Sequence, residues 1–486
     1  MRLLIISCCT PPVRGDALFL ENKYFMESVL KNVPNAFFDI VLPEKDDVFG
    51  DYKTDDIEAL GRVRIHYAPF LRGNIDEVVM LTRELHKIVN VLKTDFYFDA
   101  ILNMKEAVFA PILRKIVKPK YQKQTFEIPI FNYTGAQRSS ETKRESAFGF
   151  YGEDEVAADV VGALFDYSIV MTENERKILI KNAMRYLAPS MVQKIRDRSF
   201  ACVMGGVNIQ KLDGVYNERL KLRREPPCLF FGARWVSGKG VATFLDIADK
   251  IYKTGTNLNV IMTCAASQTQ AALDSMREKC GIVDLRTGVM KEKFLEMMLE
   301  GDVFICDSTS EGFGLAWVEM QYSGICGVYR DRDYVKGYIV PSWYPYVCKS
   351  DAEMFSVTKY LIENRKSDEV RNVVERTRVW IADRYENDVT HMKMWNFIKL
   401  ETEKFHREKF VSGSIADLAD KALCACDMKR IPISTMYERM KDVGKSHRDF
   451  GKRGDIISPN FVRRAALSRG WVDLCDGPEP VFEKSE

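Results

Sequence analysis

The chain lacks metal-binding spacing. It holds twelve Cys and five His, yet Cys8-Cys9 and Cys424-Ala-Cys426 offer neither Cys-x2-Cys nor a matching His pattern for zinc. Reduced thiols in a cytosolic protein, many buried as small hydrophobes, are the expectation. Net charge is also missing: 71 basic against 69 acidic residues leaves +2, so the molecule as a whole is no polyelectrolyte. No apolar run approaches the roughly 18 residues needed to span a bilayer. The opening Met1-Arg-Leu-Leu-Ile-Ile-Ser7 is too short for a secretory signal and runs straight into Cys-Cys-Thr-Pro-Pro. A cytoplasmic protein without integral membrane association is therefore expected. What remains is substantial: 486 residues, 46% of them hydrophobic, enough for two or three domains with real cores.

The most informative stretch is Ser310-Glu-Gly-Phe-Gly-Leu-Ala-Trp-Val-Glu-Met320. The apolar run at 303–306 before it reads as a buried strand. The residues from Ala316 read as a helix. A strand, a glycine turn and a helix start make an anion site, because first-turn N–H groups are free and the helix dipole favours negative charge there. Gly312 and Gly314 lack a Cβ, so a diphosphate can approach the backbone of Phe313 and Leu315. Glu311 and Glu319 flank this cradle. Carboxylates do not bind phosphate, but they accept sugar hydroxyls on either side of a diphosphate. That is the outline of a nucleotide sugar. By spacing alone, two solvated helix-end carboxylates would be the better reading; the strand, glycines and helix reverse it.

A second strand–loop–helix pattern lies upstream, at Leu229-Phe-Phe-Gly-Ala-Arg-Trp-Val-Ser-Gly-Lys-Gly-Val241. Arg234 and Lys239 fall in its loop. By the family resemblance given next, two such cations would neutralise a leaving diphosphate as its charge grows in the transition state. Exposed basic residues are the bland alternative.

Together the two segments resemble the E-x7-E and Gly-Arg…Lys-Gly motifs of retaining nucleotide-sugar glycosyltransferases with the GT-B fold, particularly the family-4 group. The resemblance is strong over 228–330 and weak over 1–210. It implies an α/β protein of two Rossmann-like domains facing a cleft. It gives Glu311 a place by the donor sugar, Glu319 the nucleotide ribose, and Arg234 and Lys239 the diphosphate. It puts the loop Gly288-Val289-Met290 against the nucleotide base and Gly15 near the donor phosphates. Arg14 precedes that glycine, on the acceptor side. The donor is expected to be a UDP-sugar, with no cofactor. The acceptor attacks the face that the nucleotide leaves, and a departing phosphate oxygen takes its proton.

The chain departs from the family in places. Cys326 and Gly327 stand where Gly-x-Pro-Val is usual, and Met204-Gly205 replaces Pro-Asn in the turn that closes the first domain. The His usual in the first domain is absent from Ile130-Phe-Asn-Tyr-Thr-Gly135; Tyr133 or Thr134 could stand in for it. His66 and His86 read as core or surface residues. Asp331-Arg-Asp333 looks like a metal motif of the other major glycosyltransferase fold, but solvated loop carboxylates are the better reading, and no obligatory metal is expected.

The expected organisation is a first Rossmann-like domain over 1–212, a basic linker over 213–227, and a nucleotide-sugar domain over 228–389. A helix over 390–410 crosses back to the first domain. A basic helical extension follows over 411–486. Within 428–470 there are eleven Lys or Arg against four acids, +7 in a chain otherwise near neutral. Helices are expected near 434–443 and 458–467. Lys445, Arg448, Lys452, Arg453, Arg463 and Arg464 are its candidate phosphate contacts. In the first domain, Lys115, Lys123 and Arg138 are further candidates, with Phe131, Tyr133 and Tyr121 placed to stack an exposed base. The segment around Lys115 has a meagre apolar face broken by Pro119, so nucleic acid is favoured over a membrane surface. The specific form would resemble the phage-type glucosyl- or arabinosyltransferases that modify a hydroxymethylated pyrimidine, such as 5-hydroxymethylcytosine, in duplex DNA. A saccharide or lipid acceptor is the first alternative. An inactive GT-B scaffold or nucleic-acid-binding protein is the second.

Overall fold

The computed structural model describes residues 1–7, 17–43, 54–68, 99–104, 129–134, 160, 162–222, 225–233, 238–264, 283–287, 289, 291–309, 311, 313–410, 430–432, 471–474 and 481–484. The first domain begins with β1 (Arg2–Ile6), α1 (Ala17–Asn32), β2 (Phe37–Pro43), the short α2 (Asp55–Glu58) and β3 (Val63–Ala68). It continues through β4 (Ala100–Asn103), β5 (Ile130–Thr134), β6 (Tyr167–Val170), α3 (Glu173–Tyr186), α4 (Pro189–Arg198) and β7 (Ser199–Ala201). The strands form one parallel sheet in the order β3-β2-β1-β4-β5-β6-β7. Leu3, Leu4, Ile5 and Ile6 are all buried, as a strand covered on both faces requires. The one charge in β2, Asp39, is paired from both sides. Arg2 Nε lies 2.5 Å from it and His66 Nε2 2.9 Å. His66 is thus a core residue; His86 lies outside the described residues.

The expected linker over 213–227 is largely helix. The α5 helix (Ile209–Lys221) is capped by Asn208, whose side chain accepts from the Lys211 amide at 3.0 Å. One of its cations is spent on structure. The Arg219 guanidinium is buried and donates to the carbonyls of Met298 and Gly301, and to that of Gly324 at 3.3 Å. The spacing of Leu212, Val215, Tyr216 and Arg219 packs one helical face onto the second domain.

That domain runs β8 (Cys228–Phe231), α6 (Val241–Lys253), β9 (Asn259–Cys264), β10 (Val283–Thr287), α7 (Lys291–Met298), β11 (Val303–Cys306), α8 (Leu315–Tyr322), β12 (Cys326–Arg330) and β13 (Val347–Cys348). Its sheet is parallel, in the order β10-β9-β8-β11-β12-β13. The chain leaves β8 towards one edge and later leaves β11 towards the other. The crevice between these neighbours is a topological switch point, where open α/β sheets bind ligands at the strands' carboxyl ends.

Two further helices, α9 (Asp351–Asn364) and α10 (Asp368–Tyr385), are each capped by a Ser, Ser350 and Ser367. Then α11 (Asn387–Phe410) packs against the first domain. Trp395 is buried there, its ring 5.7 Å from Phe38, and Asp388 accepts from Ser28 at 2.7 Å and Lys31 at 2.8 Å. The buried His391 Nε2 donates to the Met204 carbonyl at 2.6 Å. Beyond residue 410 the described residues form a small antiparallel sheet, β14 (Arg430–Pro432), β15 (Trp471–Leu474) and β16 (Val481–Lys484), in the order β14-β16-β15. The helices expected near 434–443 and 458–467 lie outside the described residues. Among the described residues no helix is long and apolar enough to cross a membrane.

Candidate active site

Two loops leave the β8/β11 switch point side by side. Val303 pairs with Leu229 and Phe304 with Phe230, so the turns after Phe231 and Cys306 emerge together. Each turn ends in a glycine that caps a helix with positive φ: Gly240 before α6 and Gly314 before α8, both at +75°. A side chain at either position is strained by conformation and by space. A Cβ on Gly240 would come within 2.9 Å of the Asp307 backbone, and one on Gly314 would lie 2.9 Å from Trp317 Cδ1. Two helix N-termini therefore face one crevice, which suits an anion.

Charged side chains complete it. Lys239 Nζ lies 2.7 Å from Glu311 Oε1, with both side chains mostly buried at 16% and 10% exposure. Trp317 Nε1 donates to the same oxygen at 2.9 Å. Both contacts fall on Oε1, so one carboxylate oxygen ties the two loops together. Trp317 is fixed by stacking on Phe304 at 5.6 Å and by an edge contact with Phe231 at 6.0 Å. Phe313 is buried against Tyr385, ring centroids 4.6 Å apart, so its side chain anchors the turn and only its backbone can face a ligand. Glu319, one turn into α8, is 6% exposed. Burying a carboxylate on a largely apolar helix is costly unless it is partnered. Val289 packs its side chain on the domain core.

The structure thus brings together Lys239, Glu311, Phe313, Gly314, Leu315 and Glu319. Arg234, Gly288, Met290 and Gly312 lie outside the described residues, as do Gly15 and Arg14. Trp317, Asp307 and Gly240 were not singled out in the sequence. Trp317 stood inside the motif, but nothing in its spacing showed that its indole reaches back to Glu311. Asp307 had a readable signal: a lone acid directly after a buried parallel strand.

The acceptor candidates fare differently. Tyr133 is completely buried, and its hydroxyl accepts from the Met204 amide at 3.2 Å. Phe131 is buried too, stacked on Tyr167 at 4.7 Å. Neither ring offers a face to a base. The α11 helix covers that face of the sheet: Phe397 packs on Phe131 at 5.9 Å. Lys115, Lys123, Arg138, Lys445, Arg448, Lys452, Arg453, Arg463 and Arg464 lie outside the described residues. Asp331 and Asp333 are exposed. Among the described residues no three acidic, His or Cys side chains stand close enough to hold a metal.

The architecture, two parallel Rossmann-like sheets with interleaved helices, is the GT-B fold. Residues 215–377, which contain the whole crevice, match the model of the family described as Glycosyl transferases group 1. The match and the fold together support a GT-B glycosyltransferase. No curated protein is significantly similar in sequence. Among solved structures the chain is similar to a sucrose-phosphate synthase from Thermosynechococcus elongatus, with TM-score 0.62 and 12% identity over 82% of this chain and 98% of that one. It is also similar to HepE from Anabaena in complex with UDP-glucose, with TM-score 0.56 and 12% identity over 82% and 99%. The catalytic domain of starch synthase IV from Arabidopsis thaliana, bound to ADP and acarbose, is similar at TM-score 0.59 and 12% identity over 82% and 99%.

Proposed function

We propose that the protein is a retaining, metal-independent glycosyltransferase that moves a sugar from a UDP-sugar to a hydroxyl on a modified pyrimidine of DNA, such as 5-hydroxymethylcytosine. The observation that carries the donor half is the Lys239–Glu311 pair, 2.7 Å apart between two glycine-capped helix N-termini. The diphosphate lies on the α8 amides with Lys239 and Arg234 beside it. Glu311 accepts a hydroxyl of the sugar, and Glu319 binds the ribose. The bond from the anomeric carbon to the phosphate oxygen breaks. The acceptor oxygen bonds to that carbon on the same face, and its proton passes to the departing phosphate oxygen. The cations neutralise the charge that grows on the nucleotide. A fold likeness to a protein solved with UDP-glucose supports the donor class.

The acceptor half rests on charge. The +7 stretch over 428–470 suits a phosphate backbone. A second basic surface lies on the first domain, where Arg176, Lys177, Lys181 and Arg196 line an open groove of about 320 Å³ with Ile180, Met184 and a single acid, Glu173. Glu173 is already paired with Arg176 at 3.0 Å. The groove begins at the interdomain cleft, because Lys177 reaches Tyr338 of the second domain at 3.4 Å. A duplex held on these cations would present a flipped base to the cleft. A saccharide acceptor is the second reading, favoured by the fold likeness to a starch synthase solved with acarbose.

The deciding experiment incubates the protein with labelled UDP-sugars and hydroxymethylated DNA, digests the DNA and weighs the nucleosides. A nucleoside heavier by one anhydrosugar supports the proposal. Unmodified DNA, with sugar appearing on added oligosaccharides, transfers the reading to a saccharide acceptor.

A further inference from the structure

Just beyond β11, Asp307 turns back beneath the loop that carries Lys239. Its carboxylate is mostly buried, at 12% exposure. Oδ2 accepts from Thr243 Oγ1, in the first turn of α6, at 2.6 Å. Oδ1 accepts from Arg330 Nε, at the end of β12, at 3.0 Å, and from Arg332 at 3.4 Å. Arg330 is held in turn by Asp351 of α9. The next two residues grip the same loop. Ser308 Oγ and the Thr309 amide both donate to the Gly238 carbonyl, at 3.2 and 2.7 Å. The backbone of Asp307 lies so close to Gly240 that no Cβ fits between them. Residues 238, 240 and 243 are therefore fastened to 307–309, and Lys239 is enclosed by the fastenings.

Burial pushes the Asp307 carboxyl up, but the hydrogen bonds from Arg330 and Thr243 outweigh it and hold the group below the usual carboxylate range. It is an anion at neutral pH. A charged, multiply bonded anchor resists displacement better than a neutral hydrogen-bonded one, since each charge-assisted bond is shorter and stronger.

We propose that Asp307 is a positioning residue of the donor site: it fixes the loop 238–240 so that the Lys239 ammonium stands at the height of Glu311 and the crevice. It touches neither donor nor acceptor. The inference rests on the donor reading above and adds to it a residue that acts only through Lys239. A cation misplaced by about 1 Å loses much of its effect on a reacting group, so the anchor carries functional weight.

The test is a double-mutant cycle read by calorimetric UDP affinity, using the full chain. Asp307→Asn keeps the shape and removes the charge. In the wild-type background it should weaken UDP about tenfold; in a Lys239→Ala background, less than twofold, because the cation it positions is gone. Thr243→Val, which loses only one hydroxyl, should act in the same direction by about threefold and carries the cycle should Asp307→Asn fail to fold. Equal losses in both backgrounds, or no loss with Lys239 present, overturn the proposal and leave the donor site standing. A wild-type protein that binds no nucleoside diphosphate overturns the donor reading and this inference with it.

Discussion

Lys239 and Glu311 come from different loops, 72 positions apart in the chain, and meet at 2.7 Å with Trp317 donating to the same carboxylate oxygen. A mostly buried ion pair is weak evidence for stability, because desolvation of both partners offsets their attraction. Its position is informative instead. It sits where two parallel strands diverge and two helices begin, the place in such a sheet where anions bind.

Removing the cation should therefore damage chemistry more than folding. Lys239→Ala should lower turnover by about two orders of magnitude, as removal of a transition-state charge interaction does. Arg234→Ala should do likewise. Steady-state kinetics with a UDP-sugar check this, and unchanged turnover in both variants removes the diphosphate clamp from the account.

Gly314→Ala is predicted to hurt fold and site together. The residue would carry φ +75° and meet Trp317 and Ile339 within 3.0 Å. Left-handed backbone costs an L-residue roughly 1–2 kcal/mol before any clash. A domain of this size should lose about 2–4 °C in Tm per kcal/mol. UDP affinity should fall as well, because the turn aims the α8 amides. A variant as stable and as tightly bound as wild type would show that the turn tolerates a side chain.

Stability should also carry a pH signature from His391. Burial pushes this imidazole down to about 4, against small upward pulls from the Met204 carbonyl and Asp388. The unfolded chain regains an ordinary histidine and takes up a proton below about pH 6.5. The neutral form's contribution is thus complete above that pH and is lost as pH falls towards 4. At pH 5 the loss is roughly 2 kcal/mol. His391→Gln removes the titration, and its donor can still reach Met204. Urea unfolding at pH 7.5 and pH 5 should show wild type losing more stability than the variant. Equal losses would contradict the burial argument.

Much of the proposed donor site is legible in the sequence because it is local. Glu311, Gly314 and Glu319 share one strand–turn–helix unit, and the glycines that permit the turn are visible as letters. Lys239 was legible for the same reason, in the unit after β8. The Lys239–Glu311 pairing was not, since it depends on β8 and β11 being sheet neighbours. Tyr133 is unavailable to a base for a related reason: α11, more than 250 positions later, covers its strand with Met394, Trp395 and Phe397. Within the linker expected at 213–227, Arg219 shows that charge alone does not mark exposure. Arg219 is buried because three carbonyl groups need its donors.

The basic segment beyond residue 410 yields a prediction of its own. Truncation after Phe410 should keep UDP binding and slow UDP-sugar hydrolysis while weakening DNA binding. The salt slope should flatten by about 0.9 log units for each phosphate that the shortened chain no longer neutralises. Electrophoretic mobility shifts across a salt series read this directly. Full-rate DNA glycosylation by the truncated protein in moderate salt would show that the segment does not deliver the acceptor.

The central claim is that the crevice between β8 and β11 binds a nucleotide sugar, with Glu319 on the ribose and Glu311 on the sugar. Calorimetric titration of UDP into wild type, Glu319→Gln and Glu311→Gln tests it most directly. UDP carries the ribose but no sugar. The account predicts that wild type binds UDP, that Glu319→Gln weakens it by about tenfold or more, as expected when a hydrogen bond to a charged group is removed, and that Glu311→Gln leaves affinity nearly unchanged while abolishing transfer. Absence of UDP binding in the wild type, or equal loss in both variants, would contradict it.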